Sequence, residues 1–511
     1  MRTLSGRKLL TTVGATLAVG ATAAVADVRL PALFSDHMVV EAEVPVNVWG
    51  WADPKEEVTV SVAGQSKSAK ADADGKWAVK LDKIAAGNVG TMTVSGKNKL
   101  TINDVLAGQV WVCSGQSNMA MTVNRALDFA KESAAANYPE IRQFKVAQKA
   151  IDEPQSDCVG TWVLCSPETV GGFTATGYFF GRELHTTLKT PVGLINSSVG
   201  GTPIESWIDI KAQRATPELK GFFAAYDEAA QNFDMAKAKK NFETALARWQ
   251  KQAATAKKEG KPIPRKPKDP EDNLKRKGKA GDLFNGMIAP LMPYTIAGAI
   301  WYQGEANSHS GKSEYYQYHL SLLATDWRKK WGQGDFPVGW VQLPNFTRPG
   351  NGWPQVREGM MKALATPNTG MAITIDVGDP KDIHPANKQA VGKRLAQWAL
   401  ASVYGKPVVP SGPLPAGSGF RDGEAVVSFK YGDGLNARSA ELTGFEIAGD
   451  DRKWHPAQAK IKGDTVVVKS ADVKKPAAVR YCWADNPQPC LYNGAGLPAS
   501  PFRTDDWPLS E

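Results

Sequence analysis

Apolar and polar residues alternate with a period of two near both ends of the chain and change rhythm in between. Pro45–Trp51, Val58–Val62 and Trp77–Leu81 read as strands with one buried face. Ala63-Gly64 and Asp74-Gly75 mark turns between them. Residues 27–106 are therefore expected to form a small β-sandwich. From Val105 onward short apolar runs alternate with helical patterns, which predicts a parallel sheet. Its strands are expected at 109–113, 192–196, 297–302, 337–343 and 371–376, with a helix over 178–188. Pro385 opens another helix, with Val391, Leu395 and Trp398 as its apolar stripe. Residues 211–280 interrupt this rhythm: 224–258 is rich in Ala, Lys, Glu and Gln and reads as helix, whereas the Pro-rich stretch 261–270 does not. Period two returns after Pro407, in Ala425–Phe429, Thr465–Val468 and Val479–Trp483.

The polar clusters fall in one kind of place on this map. Ser117, within Gly115-Gln116-Ser117-Asn118-Met119, follows the first strand of the parallel set. Gly200 and Gly201 follow the second, Gln303, Glu305 and Asn307 the third, and Asp382 and His384 the last. All lie beyond carboxyl ends of parallel strands, the edge at which open α/β sheets bind ligands. A serine on a tight turn after a strand presents its hydroxyl for nucleophilic attack. Imidazole is the usual base for it, and a neighbouring carboxylate fixes the imidazole's tautomer. Ser117, His384 and Asp382 thus form a candidate triad, with Asp379 and Asp376 as reserve acids. A competing reading makes Asp382 or His384 the N-cap of the following helix. Oxyanion donors are expected among the backbone N–H groups of Ser117 and of Gly200 or Gly201, and the side-chain amide of Gln303. Glu305 would hold Gln303 or pair with Arg394, and Glu305, Asn307 and Trp207 are the expected substrate-binding residues. Trp207, Trp301 and Trp353 are candidates for a sugar-stacking floor.

Composition narrows the setting. The formal charge of +9 resides in 211–280, which holds 18 Lys or Arg against 9 Asp or Glu. A solvated helical insertion is expected there, open to an anionic glycan or envelope surface, and no nucleic-acid partner. Arg2, Arg7 and Lys8, an apolar stretch to Val25, and Ala24-Val25-Ala26 read as a cleaved secretory signal over 1–26. The mature chain is then periplasmic or secreted, with no stable membrane insertion. In such a compartment Cys158 and Cys165, and Cys482 and Cys490, could each close a short loop, leaving Cys113 as a buried thiol. No Cys/His spacing suggests zinc, and no metal or other cofactor is expected.

These motifs resemble those of the SGNH-type esterases, most closely the sialate O-acetylesterase family. The resemblance rests on Gly115–Met119, Ser197–Trp207, Trp301–Asn307 and Asp382–Pro385, and extends to Leu33–Met38 and Leu497–Asp505. It implies a three-layer esterase domain over 107–406, flanked by β-rich domains over 27–106 and 407–511. It also implies a serine acyl-enzyme that removes acetyl groups from sialic acid or similar sugars. Two departures stand out. Asp382 lies two residues before His384, where the superfamily has three, and the superfamily's asparagine in the third block is replaced, with Gln303 first and Asn307 second in line. An esterase for another acetylated polysaccharide such as xylan, a lipid esterase or thioesterase, and a glycan-binding protein with vestigial motifs are the competing readings.

Overall fold

The computed structural model describes residues 27–264, 266–267, 269–271, 278–309, 311–348, 350–439 and 441–509. The expected signal segment lies outside them. The centre is an α/β layer built on strands β1 (Lys99–Gly115), β2 (Tyr138–Lys145), β3 (Trp162–Cys165), β4 (Val192–Ser198), β5 (Gly298–Tyr302), β6 (Val338–Val341) and β7 (Thr369–Ala372). Their order across the sheet is β7-β6-β5-β1-β4-β2-β3. Six strands are parallel, and β3 is an antiparallel edge on β2. The chain builds outward from β1 on one side, returns to β4, then crosses to β5 on the other. The crevice above β1 is therefore the topological switch point.

Strands buried on both faces need apolar runs rather than alternation. Val110, Trp111, Val112 and Cys113 of β1 are fully buried, as is all of β5. Helices α1 (Ser117–Ala120), α2 (Ala175–Leu188), α4 (Tyr316–Trp331) and α5 (Lys388–Ser402) pack against the layer, whereas α3 (Met235–Lys258) stands off it. Trp111 pairs with Gly298, and Trp301 lies three residues further along β5, so the two indoles stand on opposite faces of the sheet. Trp111 packs edge-on against Phe180 of α2 and Trp398 of α5, while Trp301 meets Trp327 of α4. The helices α2 and α5 cross closely at Gly392, where a Cβ would come within 2.5 Å of Phe179 Cβ.

The expected strands are present with shifted ends, and β2 and β3 are additions. Pro139 and Glu140 break the apolar pattern of β2 and hide it. The expected helix 224–258 is two helices, Lys220–Gln231 and α3, separated where Asp234 caps α3 by accepting the Lys237 N–H (3.0 Å). Among α3's residues only Ala256 is buried.

At the amino end, Val46–Trp51 pairs with Lys76–Leu81, and Glu57–Val62 forms a hairpin with Gln65–Lys70 across Ala63-Gly64, both at positive φ. β1 is shared: its first half pairs with Gly87–Ser95, its second with β4 and β5. One apolar core consequently runs through this β module and the α/β layer. The carboxyl end holds two four-stranded antiparallel sheets around a core of its own, which includes Val427, Ile447, Val466, Tyr481 and Phe502. All five cysteines are buried free thiols, so neither short loop that the cysteine spacing allows is closed by a disulfide. Cys165 Sγ turns to the Ala136 carbonyl, and Cys490 Sγ accepts the Thr443 N–H. No helix among the described residues is long and apolar enough to cross a membrane.

Candidate active site

Ser117 opens α1 directly after β1. Gly115 turns the chain at φ +137°, and a Cβ there would lie 2.1 Å from the Tyr302 carbonyl oxygen, so the turn requires glycine. Gln116 fastens the turn to the third block: its N–H donates to Tyr302 O (2.9 Å), and its Oε1 accepts the Ala306 N–H (3.1 Å). Ser117 is left half-buried, with its hydroxyl at the sheet edge. As a first-turn residue it also has a backbone N–H without an intrahelical acceptor. Gly200 lies beside it: a Cβ on Gly200 would sit 3.4 Å from Ser117 Cβ. Gly201 has φ +72° and no such neighbour.

His384 arrives from the far side of the sheet. Its Nε2 is 2.8 Å from Ser117 Oγ, across 267 positions of chain. Burial holds the imidazole below its ordinary pKa; Asp382 pulls it up, while Arg125 and Lys388 press it down. At neutral pH the ring is therefore neutral and able to accept a proton. Asp382 Oδ1 stands 3.5 Å from His384 Nδ1, the outer limit of a hydrogen bond, and accepts the His384 backbone N–H at 2.8 Å. Its side chain is 59% exposed. Asp379 caps the backbone of Lys381 and Asp382, and Asp376 is paired with Arg394 at 2.6 and 2.9 Å. Of the three acids, Asp382 is the one that meets the imidazole. The N-cap of α5 is neither Asp382 nor His384 but Asn387, whose side chain accepts the Ala390 N–H.

The third block behaves differently from its expected part. Gln303 is fully buried, and its amide donates to Asn307 Oδ1 (2.7 Å) and Thr202 O (3.2 Å). Both N–H groups are thus committed within the protein, and Gln303 braces the second block instead of offering a donor beside Ser117. Asn307 is equally committed, accepting the Ile204 N–H and donating to the buried Glu205, which also meets Lys312. Trp207 is core, not a sugar platform: it is fully buried, its Nε1 donates to Thr202 Oγ1, and its ring packs on Trp301. Trp301 and Trp353 are likewise buried. Glu305 pairs with neither Arg394 nor Gln303. Its Oε1 accepts from Asn118 Nδ2 (2.5 Å), while its Oε2 is buried without a hydrogen-bond partner among the described residues. Burial raises its pKa, against the pull of Asn118 and Lys388.

Two further buried residues sit beneath the pair. Asn118 adjoins the serine, and Lys388 begins α5. Burial pushes the Lys388 ammonium down to about 7, opposed by Glu305 and Asp382. A signal for Lys388 exists in the sequence. It leads the stripe Val391, Leu395 and Trp398 at helical spacing, so a lysine stands where an apolar residue belongs.

A half-buried serine at a sheet edge, a neutral imidazole within hydrogen-bond reach and an adjacent carboxylate suit acyl transfer. Comparison with known proteins bears on that chemistry. The family model described as carbohydrate esterase, sialic acid-specific acetylesterase, matches residues 107–257 and 273–401. The chain is 31% identical to the sialate O-acetylesterase of Rattus norvegicus over 93% of its own length and 94% of the relative's. It is 29% identical to that of Homo sapiens, covering 93% and 92%. A carbohydrate acetylesterase from Xanthomonas citri, known from its crystal structure, is 36% identical. It superposes with a TM-score of 0.80 over 94% of this chain and 100% of that one. The chain belongs to the sialic acid-specific acetylesterase family of carbohydrate esterases and is a carboxylic ester hydrolase.

Proposed function

We propose that this enzyme removes O-acetyl groups from acetylated sugars, sialic acids foremost, through an acyl-enzyme on Ser117, and that it works after export. The observation that carries the reading is the 2.8 Å approach of His384 Nε2 to Ser117 Oγ. Ser117 Oγ attacks the acetyl carbonyl as His384 Nε2 takes its proton. The oxyanion of the tetrahedral intermediate is held by the backbone N–H of Ser117 and that of Gly200 or Gly201, each worth about 3 kcal/mol at the transition state. Collapse breaks the bond to the sugar oxygen, which receives the proton from His384. Water, activated by the same imidazole, then releases acetate from Ser117. Asp382 orients the ring and stabilises the imidazolium. Export is supported by the signal-like pattern of residues 1–26.

The test is acetate release from O-acetylated sialic acids, acetyl xylan and acetylated peptidoglycan fragments. It runs beside p-nitrophenyl acetate and a long-chain ester, with Ser117→Ala as control. The expected result is turnover of the acetates, highest on sialic acid, and none by Ser117→Ala. Full activity in that variant would end the serine mechanism. A preference for xylan would move the substrate, and one for the long-chain ester would favour a lipid esterase. Glycan binding without turnover would favour a lectin-like role.

A further inference from the structure

His384 is held through the carbonyls of the residues before and after it. The Ile383 carbonyl accepts from Asn118 Nδ2 at 2.9 Å, and the Pro385 carbonyl accepts from Lys388 Nζ at 2.7 Å. The two donors are joined to each other, Lys388 Nζ donating to Asn118 Oδ1 at 2.7 Å. Asn118 is covalently next to Ser117. The nucleophile and the base are thus tied by a path far shorter than the chain that separates them.

The hydrogen-bond account of this unit is nearly closed. Asn118 spends both amide hydrogens, on Ile383 O and Glu305 Oε1, and its Oδ1 on Lys388. The Lys388 ammonium has three donors: two reach carbonyl-type oxygens, and the group lies 5.3 Å from the Tyr302 ring centroid. Both side chains are fully buried. A buried ammonium carries a large desolvation penalty, so a lysine here is tolerated only with such partners. The Asp382 side of His384 contrasts with this, being mostly exposed and at 3.5 Å.

We propose that Asn118 and Lys388 form a clamp on the two carbonyls flanking His384, and that Lys388 is a positioning residue that sets the imidazole against Ser117 Oγ. The inference rests on the acyl-transfer reading above. A misplacement of about 1 Å between reacting groups is enough to cost roughly 100-fold in rate. Loosening the Pro385 carbonyl acts on the base itself and leaves the groups that bind the sugar in place. The loss therefore belongs in kcat rather than KM.

The experiment uses the full chain with Lys388→Met, which keeps the side chain's length and removes the ammonium. Lys388→Ala accompanies it, assayed with and without propylammonium. Turnover of p-nitrophenyl acetate is measured together with the rate at which a fluorophosphonate labels Ser117, located by peptide mass. The expected result is a 10- to 100-fold loss of kcat in both variants with KM within about threefold, and a parallel loss of labelling rate. Propylammonium should restore part of kcat in Lys388→Ala and do nothing to the wild type. Folded variants with kcat within twofold of wild type would overturn the clamp, as would a rise in KM at unchanged kcat. Should Lys388→Met not fold, rescue of Lys388→Ala decides: no rescue in a folded protein rejects the proposal. If neither variant folds, Asn118→Ser, which shortens the other arm, must show the same kcat-specific loss or the proposal fails. If wild-type Ser117 is not labelled at all, the acyl-transfer reading itself is wrong, an outcome distinct from the clamp's failure.

Discussion

The ground beneath Ser117 and the insertion over 211–280 spend their polar groups in opposite ways. Around the serine, Asn118, Gln303, Glu305, Asn307 and Lys388 are all buried, and each makes at least one hydrogen bond. The insertion carries the whole formal charge excess of the chain, yet α3 buries one residue of its 24. Its root has a small core of Leu219, Phe222 and Phe223, and beyond that the Lys and Arg among the described residues are exposed. A polar group taken out of water acts through fixed geometry, because leaving it unpaired costs more than its bond returns. A solvated charge acts only through a field that salt screens. Substitutions in the first region should therefore change rate constants by orders of magnitude and be insensitive to salt. Those in the second should do little, and only where the substrate is charged.

The largest effect belongs to the reacting pair. Ser117→Ala is expected to lower kcat by about 10⁴-fold or more while the melting temperature stays within a few degrees. His384→Gln should do nearly as much, and the double variant no more than the worse single one, since the two act as a unit. Steady-state kinetics on p-nitrophenyl acetate measure all three. Additive losses would mean that the 2.8 Å contact is not part of the reaction path.

Asp382 should matter much less than the acid of a buried triad. In a triad with a buried acid, loss of the carboxylate costs about 10⁴ in kcat. Here the carboxylate is mostly exposed, at the limit of hydrogen-bond distance, and the flanking carbonyls are held from the other side. Asp382→Asn is expected to cost about 10-fold. The pH profile sharpens this. Only neutral imidazole accepts the proton, so kcat/KM falls as pH drops through the His384 pKa, which burial sets below the ordinary 6.5. Asp382 pulls that pKa up, so its removal should move the midpoint lower still. An unmoved midpoint would show that the carboxylate does not sense the ring, and a 10⁴-fold loss would restore it to a full triad role.

What the sequence revealed follows the same division. Strands buried on both faces announce themselves as apolar runs, and the polar motifs at their carboxyl ends put Ser117, Gly200, Gly201 and His384 on one sheet edge. Periodicity says nothing about which way a polar side chain turns. Lying in the right blocks makes Gln303 an expected oxyanion donor and Asn307 and Trp207 expected substrate contacts, yet each bonds inward and is fully buried. Neither expected partner of Glu305 meets it, for the same reason: it accepts from Asn118, and Arg394 belongs to Asp376. The cysteine spacing allows loops to close, but all five thiols are free and buried in the cores. Lys388 was legible only as an exception, a lysine heading an apolar stripe.

The smallest expected effect lies on α3. Lys237, Lys240, Lys251 and Lys257 are exposed, and replacing all four with glutamine removes four positive charges from a net +9. Each exposed change is expected to move stability by no more than about 0.5 kcal/mol. Turnover of neutral p-nitrophenyl acetate should stay within twofold at any ionic strength, because no field acts on an uncharged substrate. An O-acetylated sialic acid carries a carboxylate, and a positive field raises its encounter rate. Its kcat/KM on the wild-type enzyme should therefore fall between about 10 and 200 mM salt, as the Debye length shrinks from about 30 Å to below 10 Å. The quadruple variant should start two- to threefold lower at low salt and vary less with salt, the two curves meeting at the high end. Parallel curves would place the insertion outside the substrate's approach. A loss on the neutral ester would instead mean that α3 touches the site, and the contrast between fixed and solvated polar groups would have to be redrawn.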